Sequence, residues 1–269
     1  MTSGASLTVA VALVLAAGLV PIAAAAGPAD CAAPAALTAI PAPLDRIATR
    51  LEAQLPVLIV AVGSSSTAGT GASGAEETYP SRLQAELRQR FPRADLTVLN
   101  RGKGGEDAGE ELARLDRDVV AAHPDLVIWQ LGTNAVLRRD DLAADAEMIE
   151  RGVDTLKSDG IDVVLMDMQY APRVLNRPAY PAMEQLIADA AQRDGVGLYR
   201  RFDVMHYWQE GERFAQGMTA ADGLHMTDLS YHCLAASLAD ALSANWAAHA
   251  KGERRAPAAP AAVAGLAPR

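Results

Sequence analysis

The stretch "LIVAVGSSSTAGTGAS", from Leu58 to Ser73, decides how this chain folds. Its first half is a continuous aliphatic run, which is typical of a strand that is buried on both faces of a sheet. The run ends abruptly at Gly63, where three serines and further glycines follow: Ser64, Ser65 and Ser66. A small polar turn directly after a buried strand predicts a strand-to-helix junction at the carboxyl edge of a parallel sheet.

The rest of the chain repeats this pattern of a short apolar run followed by a longer helical segment. The further runs are "LTVLN" from Leu96, "DLVIWQLG" from Asp125, "IDVVLMDMQ" from Ile161 and "GLYRRFD" from Gly197. Helical patterns cover roughly Tyr79–Phe91, Asp107–Ala122, Asp140–Ser158, Tyr180–Arg193 and Met226–His249. Alternating strands and helices predict an α/β fold, in which helices cover both faces of a parallel sheet.

The first 26 residues predict a secretory signal peptide. An apolar stretch from Leu7 to Val20 is followed by Pro21 and by alanines that offer an A-x-A cleavage site. No Lys or Arg precedes the apolar stretch, so an uncleaved membrane anchor stays open as the alternative. With cleavage we expect no stable membrane insertion and a periplasmic or secreted protein.

The predicted domain spans residues 44–250, between two segments rich in Ala and Pro. Residues 27–43 predict a linker and residues 251–269 a disordered tail, because neither has a patterned apolar face. With 50% hydrophobic and 21% charged residues, the 269-residue chain can form a well-buried core. Its formal net charge of −9 argues against a nucleic acid partner, whose phosphates repel an acidic protein.

The sequence contains two cysteines, Cys31 and Cys233. An even number in an exported protein favours one disulfide. The alternative is two separate thiols, with Cys233 serving as a small apolar residue on a helix face.

A serine that attacks a carbonyl group needs a base to remove its proton and donors for the charge that develops on oxygen. The segment "DGLHMTD" supplies Asp222 and His225, three residues apart. At this spacing the carboxylate can hold one imidazole nitrogen while the other nitrogen faces a serine. The structural alternative is that Asp222 caps a helix that begins near Met226.

Two other motifs that use Ser or Gly after a strand do not match. The α/β-hydrolase elbow G-x-S-x-G would need glycine where Thr67 stands. A dinucleotide-binding loop G-x-G-x-x-G that starts at Gly102 would need glycine where Asp107 stands. The histidines also lack the H-E-x-x-H spacing of a metal site, so we predict no metal.

Four short blocks, read in order, resemble the SGNH, or GDSL, hydrolase superfamily. They are "GSSSTAG", similar to G-D-S-L-S-x-G; "NRGKGGED", similar to the second block; "GTNA", similar to G-x-N-D; and "DGLH", similar to D-x-x-H. Ser64 and Ala135 stand where the family has Asp, which indicates a divergent subfamily. The resemblance covers about Pro56 to Trp246.

The resemblance implies a role for each matching residue. It implies that Ser65 is the nucleophile, His225 the base and Asp222 the orienting acid. The oxyanion donors would be the backbone amides of Ser65 and Gly105 with the side chain of Asn134. The implied fold is a three-layer α/β/α sandwich with a parallel, flavodoxin-like, five-stranded sheet, and no cofactor is implied.

The leading functional hypothesis is an exported serine esterase that removes short acyl groups, O-acetyl above all. Its substrate would be a small-molecule or polysaccharide ester, on carbohydrate or cell-envelope material. The alternatives are a lipase, lysophospholipase or thioesterase for longer chains, an O-acyltransferase, and a carbohydrate-binding module without activity. The oligomeric state does not follow from the sequence.

Three further pairs of residues near the predicted strand ends have both a functional and a structural interpretation. Trp129 and Gln130 could line the substrate pocket, although Trp129 in its apolar run is more often a core residue. His206 and Tyr207 could form a wall of the acyl site, with packing as an equal alternative. The two arginines could meet an anionic substrate, but we favour a solvated helix start. The pairs are Trp129 with Gln130, Arg138 with Arg139, and His206 with Tyr207.

Overall fold

The computed structural model describes residues 1, 31–139, 141–210 and 217–252. The predicted signal peptide after its first residue and the predicted tail after residue 252 lie outside the described residues. Five strands are β1 Val57–Gly63, β2 Leu96–Gly102, β3 Leu126–Gln130, β4 Asp162–Met166 and β5 Gly197–Tyr199. They pair in parallel in the order β2-β1-β3-β4-β5.

Helices follow or precede each strand. They are α1 Ala35–Thr38, α2 Asp45–Glu52, α3 Ser65–Ala68, α4 Tyr79–Arg90, α5 Ala108–Leu112, α6 Leu115–Asp118, α7 Thr133–Arg138, α8 Leu142–Ser158, α9 Pro172–Leu175, α10 Tyr180–Asp194, α11 Arg201–Glu210 and α12 Asp228–Ala250. Short 3-10 turns lie at Ala75–Glu77 and Val120–Ala122. None of the helices in the described ranges combines the length and the apolar character that a membrane crossing requires.

The sheet separates two hydrophobic cores. Because successive side chains of a strand point to opposite faces, Ile59 and Ala61 of β1 join one core, while Val60 and Val62 join the other. The first core packs against α2, α4 and α12, and the second against α8 and α10. The predicted three-layer α/β/α sandwich is therefore confirmed.

The strand order creates a crevice between β1 and β3. These strands are neighbours in the sheet, with Val62 opposite Trp129, although β2 lies between them in the chain. In an open parallel sheet such a reversal of strand order leaves a crevice at the carboxyl ends of the strands. The serine turn after β1 and the polar turn after β3 both open into it.

The predicted helix over residues 107–122 is wrong as a single element, since the structure divides it into α5, α6 and a 3-10 turn. The break lies at Arg114, which leaves helical geometry with φ −117° and ψ 3°. Its guanidinium is buried against the carboxylate of Glu106 at 2.6 Å. This tertiary ion pair overrides the helical propensity of the segment.

Caps move two helix starts from their predicted positions. The side chain of Asp141 accepts a hydrogen bond from the amide of Ala143, so α8 begins at Leu142 rather than at 140. Thr227 caps α12 through the amide of Ser230, so that helix begins two residues after Met226. Both caps satisfy amides that have no partner within the helix itself.

Part of segment 27–43, which its composition predicts to be a linker, packs on the domain. Ile40 is buried in the core that α12 also covers, and Asn245 of α12 donates hydrogen bonds to the carbonyl groups of Ile40 and Ala42. Cys31 and Cys233 are joined by a disulfide with a Cα–Cα distance of 4.8 Å. The disulfide and the hydrogen bonds explain why a segment poor in patterned apolar residues is held.

The disulfide is expected to stabilise the fold because it closes a long loop. The two cysteines are 202 positions apart, and the loss of chain entropy in the unfolded state gives an upper value of about 5 kcal/mol. Urea unfolding of the Cys31→Ser/Cys233→Ser variant should show a free energy of unfolding lowered by several kcal/mol, within that bound. A loss below about 1 kcal/mol would contradict this expectation.

Candidate active site

Gly63 ends β1 where only glycine fits. Its φ is +154°, and a Cβ atom there would lie 2.5 Å from Thr67 Oγ1 and 2.8 Å from the Cβ atom of Gln130. The chain can therefore turn tightly from β1 into α3. Ser65, the first residue of α3, is half-buried, whereas Ser64 and Ser66 are buried.

Gln130, at the end of β3, organises the serine turn. Its Oε1 atom lies 3.0 Å from the amide of Ser64, 3.1 Å from the Ser64 hydroxyl, 3.2 Å from Ser66 Oγ and 3.3 Å from Thr67 Oγ1. The two serines that flank Ser65 are thus turned toward the buried amide. Ser64, which replaces the family's Asp, has a hydrogen-bond partner of its own.

Ser65 heads a chain of hydrogen bonds to an imidazole and a carboxylate. Its Oγ atom lies 2.9 Å from Nε2 of His225, and Nδ1 of His225 lies 2.5 Å from Oδ2 of Asp222. The other carboxylate oxygen of Asp222 accepts the backbone amides of Leu224 and His225, each at 3.0 Å. The alternative role of Asp222 as a helix cap does not apply, because Thr227 caps α12.

The carboxylate of Asp222 is held in its ionised form. Partial burial works against the charge, but hydrogen bonds from the amide and ring of His225 and from the amide of Leu224 outweigh it. Together they lower the pKa of Asp222 to about 2. The imidazole therefore has a permanently charged partner on Nδ1 throughout the neutral pH range.

Gly105 and Asn134 lie on the loops that follow β2 and β3. Gly105 adopts a φ of +86°, and a Cβ atom on its neighbour Gly104 would lie 3.9 Å from the Cβ atom of Ser65. The Asn134 side chain donates one N–H of Nδ2 to the carbonyl of Glu106 at 2.7 Å. Among the described residues, the backbone N–H groups of Ser65 and Gly105 meet no acceptor, so both can serve an oxyanion.

Ion pairs fix the loop that carries Gly105. Glu106 is buried and pairs with Arg114, whose Nη2 also donates to the carbonyl of Gly63 at 3.3 Å. Arg138 donates to the carbonyl of Gly105 and pairs with Asp107. Arg138 is solvent-exposed, as predicted, but it lies in the last turn of α7 rather than at a helix start, and its guanidinium connects α7 to this loop.

In the other two pairs of candidate residues, Trp129, His206 and Tyr207 pack against neighbouring side chains of the fold. Trp129 is fully buried, as the core interpretation predicts, and its Nε1 atom donates to Glu111 at 2.7 Å. His206 stacks on Tyr170 with ring centroids 4.5 Å apart, and Tyr207 packs partly buried against the core. Neither ring of α11 is hydrogen-bonded to Ser65 or His225 by any contact that the structure describes.

Asn134→Ala is expected to lower kcat for an acetyl ester by about 10²-fold to 10³-fold, because one donor to the oxyanion is lost. KM should change little, since the donor acts mainly on the charge of the transition state. Steady-state kinetics on a nitrophenyl ester measure both constants. An unchanged kcat would remove Asn134 from the oxyanion site.

The hydrogen-bonded series of Ser65, His225 and Asp222 at the edge of an α/β/α sandwich, with the acid three residues before the histidine, agrees with the SGNH type of ester hydrolase. The model of the non-GDSL lipase-like family matches residues 30–248 of the chain. The chain belongs to that family. This family match, together with the similar solved structures described next, confirms the predicted resemblance to the SGNH superfamily.

Known proteins similar to this chain include esterases. Over 97 residues it is 31% identical to an arylesterase of Vibrio mimicus, a match that covers 36% of this chain and 48% of that protein. A two-domain esterase, CEX, active on acetylated mannans, superposes with a TM-score of 0.67 at 22% identity, over 84% of this chain and 59% of that one. TesA superposes with a TM-score of 0.60 at 25% identity, over 70% of this chain and 99% of that one.

Proposed function

We propose that this chain is an exported serine esterase that hydrolyses short-chain acyl esters, O-acetyl groups in particular, on carbohydrate or cell-envelope material. The observation that carries the proposal is the continuous hydrogen-bonded series from Ser65 through His225 to Asp222. A serine is a weak nucleophile unless a base removes its proton, and here the base is already within hydrogen-bond distance.

In the proposed first half-reaction, Ser65 Oγ attacks the ester carbonyl carbon while Nε2 of His225 takes its proton. The negative charge on the carbonyl oxygen is received by the amides of Ser65 and Gly105 and by Asn134. When the C–O bond of the ester breaks, the alcohol leaves with the proton from His225. Asp222 stabilises the imidazolium during both proton transfers.

In the second half-reaction a water molecule attacks the acyl-enzyme. His225 takes a proton from the water and returns it to Ser65 Oγ as the acid leaves, which restores the starting state. Since the oxyanion donors serve both half-reactions, they contribute to both barriers.

The small size of the residues around Ser65 supports a short acyl group. The loops that surround it are dominated by small and polar residues. A site for a long acyl chain needs an extended apolar lining instead. The similarity of the fold to an esterase active on acetylated mannans agrees with an acetylated polysaccharide as substrate.

Two features support export. The apolar segment at the start of the sequence, with its alanine-rich cleavage site, has the organisation of a signal peptide. The disulfide between Cys31 and Cys233 is a type of bond that persists in oxidising compartments outside the cytoplasm.

Nitrophenyl esters from acetyl to palmitoyl test the acyl preference. We expect kcat/KM to be greatest for acetyl or propionyl esters and to fall steadily with chain length. Acetate release from acetylated xylan and acetylated mannan, measured beside the nitrophenyl esters, tests whether acetylated polysaccharides are substrates. A value of kcat/KM that climbs beyond octanoyl would overturn the short-chain proposal in favour of a lipase or thioesterase.

A further inference from the structure

Arg201 carries a charged group into the centre of the fold. It is the first residue of α11, two positions after the carboxyl end of β5, and its side chain is fully buried. Burial lowers the pKa of its guanidinium, while the charge of the nearby carboxylate of Asp167 acts in the opposite direction. A buried charge lowers stability unless its hydrogen bonds are well satisfied, so the partners of Arg201 need an explanation.

One nitrogen of the Arg201 guanidinium contacts the serine turn. Its Nη1 atom donates to Ser66 Oγ at 3.0 Å, and Ser66 in turn lies 3.2 Å from Oε1 of Gln130. Ser66 directly follows Ser65 in α3. The guanidinium therefore fixes the residue next to the proposed nucleophile.

The second nitrogen of the guanidinium, Nη2, is connected through the buried side-chain amide of Gln169 to the loops that carry Asn134 and His225. Nη2 of Arg201 donates to Oε1 of Gln169 at 3.0 Å, and Thr133 donates to the same oxygen at 2.8 Å. The Nε2 atom of Gln169 donates to the carbonyl of Leu224 at 3.4 Å. Thr133 directly precedes Asn134, and Leu224 directly precedes His225.

We propose that Arg201, acting with Gln169, is a positioning residue. It fixes the relative positions of three segments: the serine turn that carries Ser65, the loop that carries Asn134 and the loop that carries His225. This inference rests on the proposed function and names residues outside the four family blocks. One guanidinium and one amide contact the sequence neighbours of Ser65, Asn134 and His225, although these lie on three separate loops. Catalysis depends on these relative positions, since displacement by about 1 Å can cost about 10²-fold in rate.

The planar guanidinium is suited to this role because its two nitrogens donate in fixed, divergent directions. Lysine has a similar length and the same charge, but its single ammonium lacks that rigid fork. Arg201→Lys should therefore keep the buried charge but lose one of the two hydrogen bonds, to Ser66 or to Gln169. Gln169→Met removes the hydrogen bond between Arg201 and Gln169 without altering any charge.

We expect Arg201→Lys and Gln169→Met each to lower kcat for nitrophenyl acetate by about 10-fold to 10²-fold, with KM within about threefold of the wild type. Active-site titration with a fluorophosphonate normalises each rate to the folded fraction. Because the two residues act through the same contact, the double variant should lose little more than the worse single variant.

Tyr199→Phe is the matched control. Tyr199 is also fully buried, two positions from Arg201, but its hydroxyl bonds to Ser237 at 2.9 Å rather than to a catalytic loop. It should lower Tm and leave kcat per titrated site unchanged.

The inference is overturned if Gln169→Met lowers Tm as Tyr199→Phe does but keeps the wild-type kcat per titrated site. Should Arg201→Lys fail to fold, Gln169→Met alone decides the matter. Failure of the proposed function has a different signature, since the wild-type protein itself would then neither react with the fluorophosphonate nor hydrolyse the ester.

Discussion

Ser65→Ala is expected to lower kcat for nitrophenyl acetate by about 10⁶-fold, which is the scale of loss when a serine hydrolase loses its nucleophile. The reason is geometric, since the Ser65 hydroxyl lies 2.9 Å from the imidazole of His225. Removing a half-buried hydroxyl leaves the core unchanged, so Tm should stay close to that of the wild type. Kinetics and thermal unfolding on the same preparation measure both quantities.

Ser64→Ala is the control for this substitution. The Ser64 hydroxyl is buried against Gln130 and does not reach the imidazole, so the variant should keep measurable turnover. If Ser65→Ala retained near-normal turnover while Ser64→Ala or Ser66→Ala lost it, the nucleophile would be assigned to the wrong serine.

Asp222→Asn is expected to lower kcat by about 10⁴-fold. An amide in place of the carboxylate favours the wrong imidazole tautomer and cannot stabilise the imidazolium. Because the pKa of Asp222 is lowered to about 2, the wild-type carboxylate stays charged in mildly acidic solution. Protonation of Asp222 should therefore not account for a fall of kcat/KM in mildly acidic solution, and the pH profile of kcat/KM measures this.

Asp228→Asn, at the first residue of α12 and six positions after Asp222, is a matched control. Asp228 accepts the amide of Ser73 at 2.8 Å, and among the hydrogen bonds of the described residues none joins it to His225. Its substitution should leave kcat within a few-fold of the wild type. Equal losses in Asp222→Asn and Asp228→Asn would show that a general change of charge, rather than the contact with His225, is responsible.

The sequence predicted the sheet because local and tertiary preferences agree there. The runs that form β1, β3 and β4 place apolar residues on both faces, as central strands of a covered parallel sheet require. The sequence also predicted where Ser65, Asn134 and His225 lie, because short motifs mark the ends of the strands and the start of the last helix. Such features depend on residues close together in the chain.

The residues that support the site could not be predicted in this way. Arg200 and Arg201 are adjacent and chemically identical, yet the side chain of Arg200 is 46% exposed and that of Arg201 is fully buried. Only the long-range contacts of Arg201 with Ser66 and Gln169 distinguish them. Gln130, within the apolar run "LVIWQL", offered a signal as a polar residue in a buried strand, but its three partner residues lie more than 60 positions away.

The broken helix near Arg114 has a similar cause. The segment "DAGEELARLDRDVVAA" has the composition of a continuous helix, and its local pattern contains no glycine or proline at the break. The break arises from contacts of Arg114 with Glu106 and with the carbonyl of Gly63. The same contacts hold the loop of Gly105 beside the serine turn.

Covalent labelling by a fluorophosphonate, followed by intact-mass measurement and peptide mapping, tests the central claim most directly. An activated serine displaces the fluoride and keeps the phosphonyl group, so the measurement needs no knowledge of the natural substrate. The account predicts one adduct per chain on Ser65, abolished in Ser65→Ala and retained in Ser64→Ala. A folded wild-type protein that stays unlabelled, or an adduct that maps to another serine, would contradict it.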